Sequence, residues 1–218
     1  MHFTHEVATT MQPVSTVQAP TTDRQRELPV LRGQHVTLRE LCATDAPSLF
    51  SLLTLPEVAR DIALPPTSIA AFERFIACTN HQRSGGKYAC FAVTLKNDDS
   101  AIGIFQVREI EPGFQTAEWG FALGSPFWGT GLFQEAAKLV LKFTFEQLGA
   151  HRVEARAAVR NGRGGRALQK LGALPEGVLR KAFLRNDQYL DQVLYAIVED
   201  DWRAACEARL EGARVFLN

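Results

Sequence analysis

The sequence has few cysteines and no metal-binding spacing among them. Four cysteines occur in 218 residues, with no Cys-x-x-Cys pair and no histidine at ligand spacing; they are Cys42, Cys78, Cys90 and Cys206. This scatter favours neither a structural zinc site nor a disulfide framework. We therefore predict no metal, and four reduced thiols that are buried as small apolar side chains.

The chain also lacks an excess of charge of either sign. Its 24 basic residues balance 24 acidic ones, and 46% of its residues are hydrophobic. Balanced charge disfavours nucleic acid and membrane surfaces as partners, and this apolar content can bury a sizeable core. The first residues show neither the basic start nor the continuous apolar stretch of a secretion signal. We expect a cytoplasmic protein, monomeric or homodimeric, that binds neither nucleic acid nor membrane.

Composition divides the chain into a tail, one domain and a short end. Residues 1–29 are rich in Thr, Gln, Val and Pro and show no apolar period, which is typical of a flexible N-terminal tail. No internal repeat or long linker interrupts the chain after that point. We predict a single domain over residues 30–205, followed by a C-terminal tail over residues 206–218.

Strand-like and helix-like patterns alternate within that domain. Alternating and β-branched runs predict about seven strands, at 35–40, 87–95, 101–110, 116–123, 152–159, 178–184 and 188–198. Apolar residues at helical spacing predict about four helices, at 43–55, 69–82, 132–148 and 164–171. The expected fold class is α/β (α+β).

A glycine-punctuated turn reads Trp-Gly-Thr-Gly at 128–131 and runs directly into an apolar helix pattern. Gly129 and Gly131 lack β-carbons, so the backbone can fold tightly, and the helix start adds unpaired N–H groups and the positive dipole end. The spacing is not that of a Rossmann turn, which needs a glycine where Gln134 stands, nor that of a Walker loop. The turn predicts a site for a phosphate or pyrophosphate.

This turn resembles the acyl-coenzyme A pyrophosphate loop of the GNAT N-acetyltransferases, in which Arg/Gln-x-x-Gly-x-Gly/Ala opens a helix. With Glu135 and Ala136 it is most similar to the branch of ribosomal-protein N-terminal acetyltransferases and related small-amine acetyltransferases. Phe133 departs from the family, which usually has a small residue there. The resemblance implies that acetyl-CoA is held by Phe121, Leu123, Trp128, Gly129, Thr130, Gly131, Leu132, Phe133, Asn161 and Arg166.

The order of elements resembles the GNAT fold from about residue 31 to residue 203. That fold implies a mixed, mostly antiparallel central sheet whose two middle strands splay apart, here 116–123 and 152–159, so that the pantetheine arm lies along the open edge. A second motif supports the resemblance: Asn161 and the run Leu-Gln-Lys-Leu-Gly at 168–172 are similar to the branch pattern Asn-x-x-Ser, Leu-x-Lys-Leu-Gly. Two hydroxyl residues of the family are missing. Gly164 replaces the serine, and Leu168 replaces the tyrosine that other members use as general acid.

Glu118 is the candidate general base. An amine attacks a thioester only as its free base, and amines are mostly protonated at neutral pH, so a proton acceptor helps. Strand periodicity puts Glu118 on one face with Gly120 and Ala122, whose small side chains leave room for an acyl group. The resemblance points to the same residue. The alternative is a surface carboxylate on an edge of the sheet.

The general acid has no clear candidate. The coenzyme A thiolate, with a pKa of about 8.5, is already a fair leaving group, so a missing acid weakens catalysis without forbidding it. Tyr189, Tyr195 or a water held by Asn161 are possible substitutes, although structural roles are the alternative for each. Arg163, Arg166 and Lys170 either meet coenzyme A phosphates or form a solvated helix face.

The resemblance implies an acetyl-CoA-dependent N-acetyltransferase in which an amine attacks directly in a ternary complex. Its acceptor partner would be a protein N-terminus or a small-molecule amine. Because of the departures at Gly164 and Leu168, a catalytically weak acyl-CoA-binding sensor with the same fold remains the alternative.

Overall fold

The computed structural model describes residues 27–63, 65–185 and 187–215, the last seven by their backbone only. The predicted N-terminal tail, residues 1–29, therefore lies almost wholly outside the described residues. Within them, no helix is long and apolar enough to cross a membrane. The same residues contain no group of three or more His, Cys, Asp or Glu side chains that could hold a metal ion.

In the described part of the chain, eight strands form one mixed sheet in the order β1-β2-β3-β4-β5-β6-β8-β7. The strands are β1 (Leu31–Arg32), β2 (Val36–Glu40), β3 (Tyr88–Leu95), β4 (Asp98–Glu109), β5 (Thr116–Leu123), β6 (Arg152–Ala158), β7 (Leu174–Arg185) and β8 (Gln188–Val198). All neighbours are antiparallel except β5 and β6. The seven predicted strands are present, and the eighth, β1, is too short for its periodicity to be seen in the sequence.

Among the residues that the structure describes, six α-helices flank the sheet: α1 (Ala46–Leu53), α2 (Pro56–Ala59), α3 (Ile69–Ser84), α4 (Leu132–Lys142), α5 (Gly162–Gln169) and α6 (Glu199–Val215). A π-helical segment, Phe143–Gln147, extends α4. Four of these helices were predicted, and α2 and α6 are additional. Three carboxylates in the first turn of α6 favour its start through the helix dipole, and the helix reaches into the predicted C-terminal tail at 206–218.

The two faces of the sheet are covered by different helices. We call them the α4 face, where α4 and α5 pack, and the α3 face, where α1 and α3 pack. On β5, Trp119 joins the apolar cluster of the α4 face, while Ala122 joins that of the α3 face. Alternate residues of this central strand therefore serve two separate cores, as the period of a strand buried on both sides requires.

The middle of the sheet is splayed, as predicted. In the described part of the chain, β5 pairs with β6 only over residues 116–118 and 152–154. Beyond that point β5 stays paired with β4 as far as Leu123, and β6 stays paired with β8 as far as Ala158. Each strand keeps its outer neighbour while the two inner edges separate, so the opening begins directly after Glu118.

The prediction of four buried thiols holds for one of them and is wrong for the other three. All four cysteines are free, but Cys42 and Cys78 are exposed and Cys206 is only partly covered. Cys42 lies in the loop after β2, and Cys78 lies on the outward side of α3, so neither meets a core. Cys90 is fully buried in β3, and burial raises the pKa of its thiol.

Candidate active site

The separated edges of β5 and β6 open a cleft of about 850 Å³, a size typical of small-molecule sites. Its lining comes from both sides of the sheet. Phe121 and Phe133 reach it from the α4 face, and Tyr88 and Gln106 reach it from the α3 face. The cleft therefore passes through the sheet at the splay and can hold two reactants that approach from opposite sides.

The glycine turn forms one mouth of the cleft. Gly129 and Gly131 line it and have φ angles of 78° and 88°, in the left-handed region where side chains with a β-carbon are strained. Gly131 is the N-cap of α4. The Thr130 hydroxyl fixes the turn by donating to the Phe127 carbonyl over 2.7 Å. The N–H groups of the first turn of α4, which have no intrahelical acceptor, thus lie at this mouth.

A carboxylate that belongs to the family motif, but had no role assigned from the sequence, holds this turn in place. Glu135, in the first turn of α4, accepts hydrogen bonds from the backbone N–H of His35 at 2.7 Å and of Val36 at 3.3 Å. Its other oxygen lies 2.9 Å from the His35 imidazole. Burial acts to raise the pKa of Glu135, but these hydrogen bonds outweigh it and hold the pKa below its usual value. The start of α4 is thereby tied to the β1–β2 turn.

Eight of the ten predicted cofactor residues line the cleft: Phe121, Leu123, Trp128, Gly129, Gly131, Phe133, Asn161 and Arg166. The other two, Thr130 and Leu132, are not among the described residues that line it. The Thr130 hydroxyl is turned back on the loop, and Leu132 packs against the core of the α4 face.

The departure at Phe133 has a structural reason. Its ring packs against Phe105 and Phe121, with centroid distances of 5.6 Å and 4.7 Å. Aromatic pairs at this spacing are favourable, and they direct the Phe133 ring towards the core. The bulky residue consequently does not fill the glycine turn, whose backbone stays accessible.

Helix α5 forms the opposite wall. The Asn161 side chain caps it by accepting a hydrogen bond from the Gly164 N–H at 2.8 Å. A β-carbon at Gly164 would lie 2.7 Å from the amide nitrogen of Asn161, so the family serine cannot be accommodated without moving the cap. The guanidinium of Arg163 lies 3.8 Å above the Trp128 ring, which joins α5 to the glycine turn across the cleft. Arg166 and Lys170 line the cleft beside it.

The position of the family's acid does not face the cleft. Leu168 has no exposed surface and packs in the core of the α4 face. The two proposed substitutes are elsewhere: Tyr195 is buried beneath α5 against Gly165, and Tyr189 is 63% exposed on β8. Neither is among the described residues that line the cleft.

Tyr88 is the tyrosine that does line the cleft. Its hydroxyl donates to the Gln106 side chain, and burial raises its pKa, so the phenol stays protonated at neutral pH. No sequence signal marks Tyr88, because it begins a strand and belongs to no motif.

Glu118 lies where the two central strands part. It is the last β5 residue paired with β6 and is on the α3 face with Gly120 and Ala122. One carboxylate oxygen accepts a hydrogen bond from Arg108, and the other lies 3.5 Å from Nε of Arg156. Because β5 is a central strand, Glu118 lines the interior of the cleft instead of an outer edge of the sheet.

The part of the cleft beyond Glu118 has an apolar wall and two acids that already have partners. The wall is formed by Val58, Ile62, Phe72 and Phe75. The Glu57 carboxylate accepts a hydrogen bond from Ser125 at 2.7 Å, and Asp61 lies 3.5 Å from Arg60. This region is suited to a small acceptor with an apolar portion.

Comparison with known proteins places these features in a family context. The family model of the GNAT acetyltransferase domain matches residues 35–174, a segment that contains the glycine turn and Glu118. The chain is 25% identical over 173 residues to the uncharacterized N-acetyltransferase p20 of Bacillus licheniformis, covering 79% of this chain and 97% of that protein. It is 27% identical over 123 residues to the ribosomal protein uS5-alanine N-acetyltransferase of Escherichia coli K12, covering 56% and 62%.

Solved structures show the same fold. Mycobacterium smegmatis RimJ, in a structure in complex with CoA-disulfide, aligns with a TM-score of 0.70 over 76% of this chain and 83% of that chain, at 19% identity. At this identity the likeness concerns the fold.

Proposed function

Because the chain belongs to the GNAT family and is an N-acetyltransferase, we propose that it transfers an acetyl group from acetyl-CoA to a primary amine. The acceptor is a small molecule or a protein N-terminus, and the amine attacks directly in a ternary complex. One observation carries this proposal: the left-handed glycine turn and Glu118 line the same cleft. An anion site and a proton acceptor are thus combined in one space.

Three features of the cleft fit coenzyme A, which supplies an acetyl group activated as a thioester. The glycine turn and the first turn of α4 offer N–H donors to a pyrophosphate. Arg163, Arg166 and Lys170 supply positive charge for the phosphates from the opposite wall. The open inner edge of β5 beyond Glu118 offers backbone groups to the amides of the pantetheine arm, as in strand addition.

Glu118 then removes a proton from the acceptor ammonium. The free amine forms a bond to the acyl carbon, the C–S bond breaks, and the thiolate leaves with the electron pair and takes up the second proton that the nitrogen loses. A positioned base of this kind contributes about 10²–10⁴-fold to the rate. Tyr88, whose phenol stays protonated, lines the α3 face of the cleft with its hydroxyl donating to Gln106, so it could act as an acid only after breaking that hydrogen bond.

A sensor without turnover is the second candidate, and one observation favours it. Both oxygens of Glu118 face guanidinium groups, so an acceptor ammonium has to share the carboxylate with Arg108 and Arg156 or displace one of them. If the arginines keep the ammonium away from the carboxylate, the cleft would bind acyl-CoA without transferring the acetyl group.

A binding and turnover assay tests the proposal. Coenzyme A at about 100 times its dissociation constant should stabilise the fold by about 2.7 kcal/mol, which is measured as a rise in Tm. Free-thiol release from acetyl-CoA should then depend on an added amine, across peptide N-termini, amino acids, polyamines and aminoglycosides, with a no-amine control. Binding of coenzyme A without amine-dependent thiol release would favour the sensor. Absence of binding would show that coenzyme A is not a ligand of this protein.

The position of Leu168 yields a separate prediction. Leu168→Tyr should lower the free energy of unfolding by about 1–3 kcal/mol, because the larger ring overpacks a position that has no exposed surface. It should not speed turnover, because this side chain faces the core. Urea denaturation and thiol release measure the two effects. Faster turnover by a variant of unchanged stability would show that the phenol does reach the cleft.

A further inference from the structure

We infer that the acceptor amine carries its own carboxylate, and that Arg108 and Arg156 bind this carboxylate beside Glu118. The inference rests on the proposed function, because it takes Glu118 as the proton acceptor. It names the acceptor class as an amine with a nearby carboxylate, found in a free α-amino acid or in a peptide N-terminus followed by an acidic residue. Polyamines and aminoglycosides fall outside that class.

Two half-exposed guanidinium groups flank one carboxylate in the cleft. Arg108, on β4, is the direct cross-strand neighbour of Glu118 and donates a hydrogen bond to it. Arg156 approaches from β6, with its Nε 3.5 Å from the other Glu118 oxygen. The side chains of Arg108 and Arg156 are 55% and 40% exposed, and both line the cleft. Each guanidinium has five N–H donors, so most of them remain open to a ligand.

The charge at this point of the cleft is unbalanced. In the described part of the chain, Glu118 is the ion-pair partner of both arginines, which leaves one positive charge in excess. Of the other acids that line the cleft, Asp61 is paired with Arg60, whereas Glu57 keeps its charge because its partner is the neutral hydroxyl of Ser125, which lies two residues past the end of β5. A carboxylate matches the planar guanidinium fork and is bound by paired hydrogen bonds, which an uncharged or cationic group in the same place does not form.

The same arrangement links binding to proton transfer. Each oxygen of Glu118 faces a guanidinium group, so an ammonium group has to share the carboxylate with Arg108 and Arg156. An acceptor carboxylate that draws one guanidinium away leaves that oxygen of Glu118 to the ammonium group, whose proton passes to it. The N–C bond then forms as the C–S bond breaks, and the second proton of the nitrogen goes to the leaving thiolate. The carboxylate of the acceptor should therefore raise kcat as well as lower KM.

The apolar wall of the cleft beyond Glu118 determines which acceptor is used in the test. Val58, Ile62, Phe72 and Phe75 present apolar surface beyond Glu118. Leucine combines an α-amino group, a carboxylate and an apolar side chain. Its amide and 3-methylbutylamine keep the amine and the apolar part while they remove the negative charge, so the three form a matched series.

The test measures kcat and KM of thiol release for leucine, leucinamide and 3-methylbutylamine. We expect leucine to exceed leucinamide at least tenfold in kcat/KM, since about 10–100-fold is typical of a hydrogen bond to a charged group. Arg156→Gln should remove this preference by lowering kcat/KM for leucine about 10–100-fold while leaving leucinamide within about threefold. Arg180→Gln, an exposed arginine of β7, is the matched control and should leave both acceptors unchanged.

Further measurements distinguish a free amino acid from a peptide N-terminus, and a failure of this inference from a failure of the proposed function. Leucyl-aspartyl and leucyl-asparaginyl peptides show whether an acidic N-terminus replaces the free amino acid. The inference is overturned, while the proposed function stands, if kcat/KM for leucinamide or spermidine equals that for leucine. The same holds if Arg156→Gln lowers kcat/KM equally for every acceptor. If no amine is acetylated, the proposed function fails, and calorimetry with leucine and the CoA-bound protein decides the inference. Binding that Arg156→Gln abolishes supports it, and absence of binding overturns it.

Discussion

Replacing Glu118 with glutamine is expected to lower kcat by about 10²–10⁴-fold near neutral pH, with coenzyme A affinity unchanged. Glutamine keeps the shape of the side chain and can still accept a hydrogen bond from Arg108, but it cannot take a proton from the acceptor ammonium. Part of the rate should return at high pH, where an α-amino group with a pKa near 8 is already deprotonated. Thiol release measured from pH 7 to pH 9.5 checks both effects.

The sheet offers a matched control for this variant. Glu154 is the register partner of Glu118 on β6, and its carboxylate is bound by Arg152 at 3.0 Å. It is not among the described residues that line the cleft. Glu154→Gln removes a similar charge from the neighbouring strand and should leave kcat unchanged. Equal activity of Glu118→Gln and the wild-type protein would make Glu118 a structural residue.

The sequence was sufficient for most of the fold because the chain marks its elements with strong local signals. The strands of the sheet carry β-branched and aromatic residues in runs bounded by turn residues, and α4 has a clear apolar stripe. The additional elements are those without such a signal. Strand β1 has two residues and α2 has four, so neither completes a period that could be recognised.

Parts of the candidate site depend on register and helix phase, which local patterns do not fix. Arg108 meets Glu118 only because β4 and β5 pair in one particular register, and Arg156 joins them from a distant segment. A one-residue shift would move Arg108 to the other face of the sheet. Leu168 was expected at the acid position, whereas α5 turns it into the core. Leu171, three residues later, is also buried. Two leucines at this spacing lie on the same side of a helix, and this pattern could have predicted that Leu168 faces the core.

The largest effect on cofactor binding is expected from the glycine turn. Gly131→Val should raise the Kd for coenzyme A by about 10²-fold or more, because losing two hydrogen bonds to a charged group costs about 3–6 kcal/mol. In the protein without ligand, a β-carbon at Gly131 meets no atom within 4 Å, so the fold has room for it. The effect arises because φ of 88° is unfavourable for valine and because the branched side chain stands beside the N–H groups offered to the pyrophosphate. Calorimetric titration with coenzyme A measures the loss.

Gly149 makes it possible to separate strain from lost binding. It follows the π-helical extension of α4, has a φ of 73°, and likewise has no atom within 4 Å of the position a β-carbon would take. Gly149→Val therefore imposes comparable backbone strain at the opposite end of the same helical segment, and we expect it to lower Tm while leaving coenzyme A affinity unchanged. Gly131→Ala, a milder change, should give an intermediate Kd. If Gly131→Val folds and binds coenzyme A as tightly as the wild-type protein does, the pyrophosphate is bound elsewhere than at the start of α4.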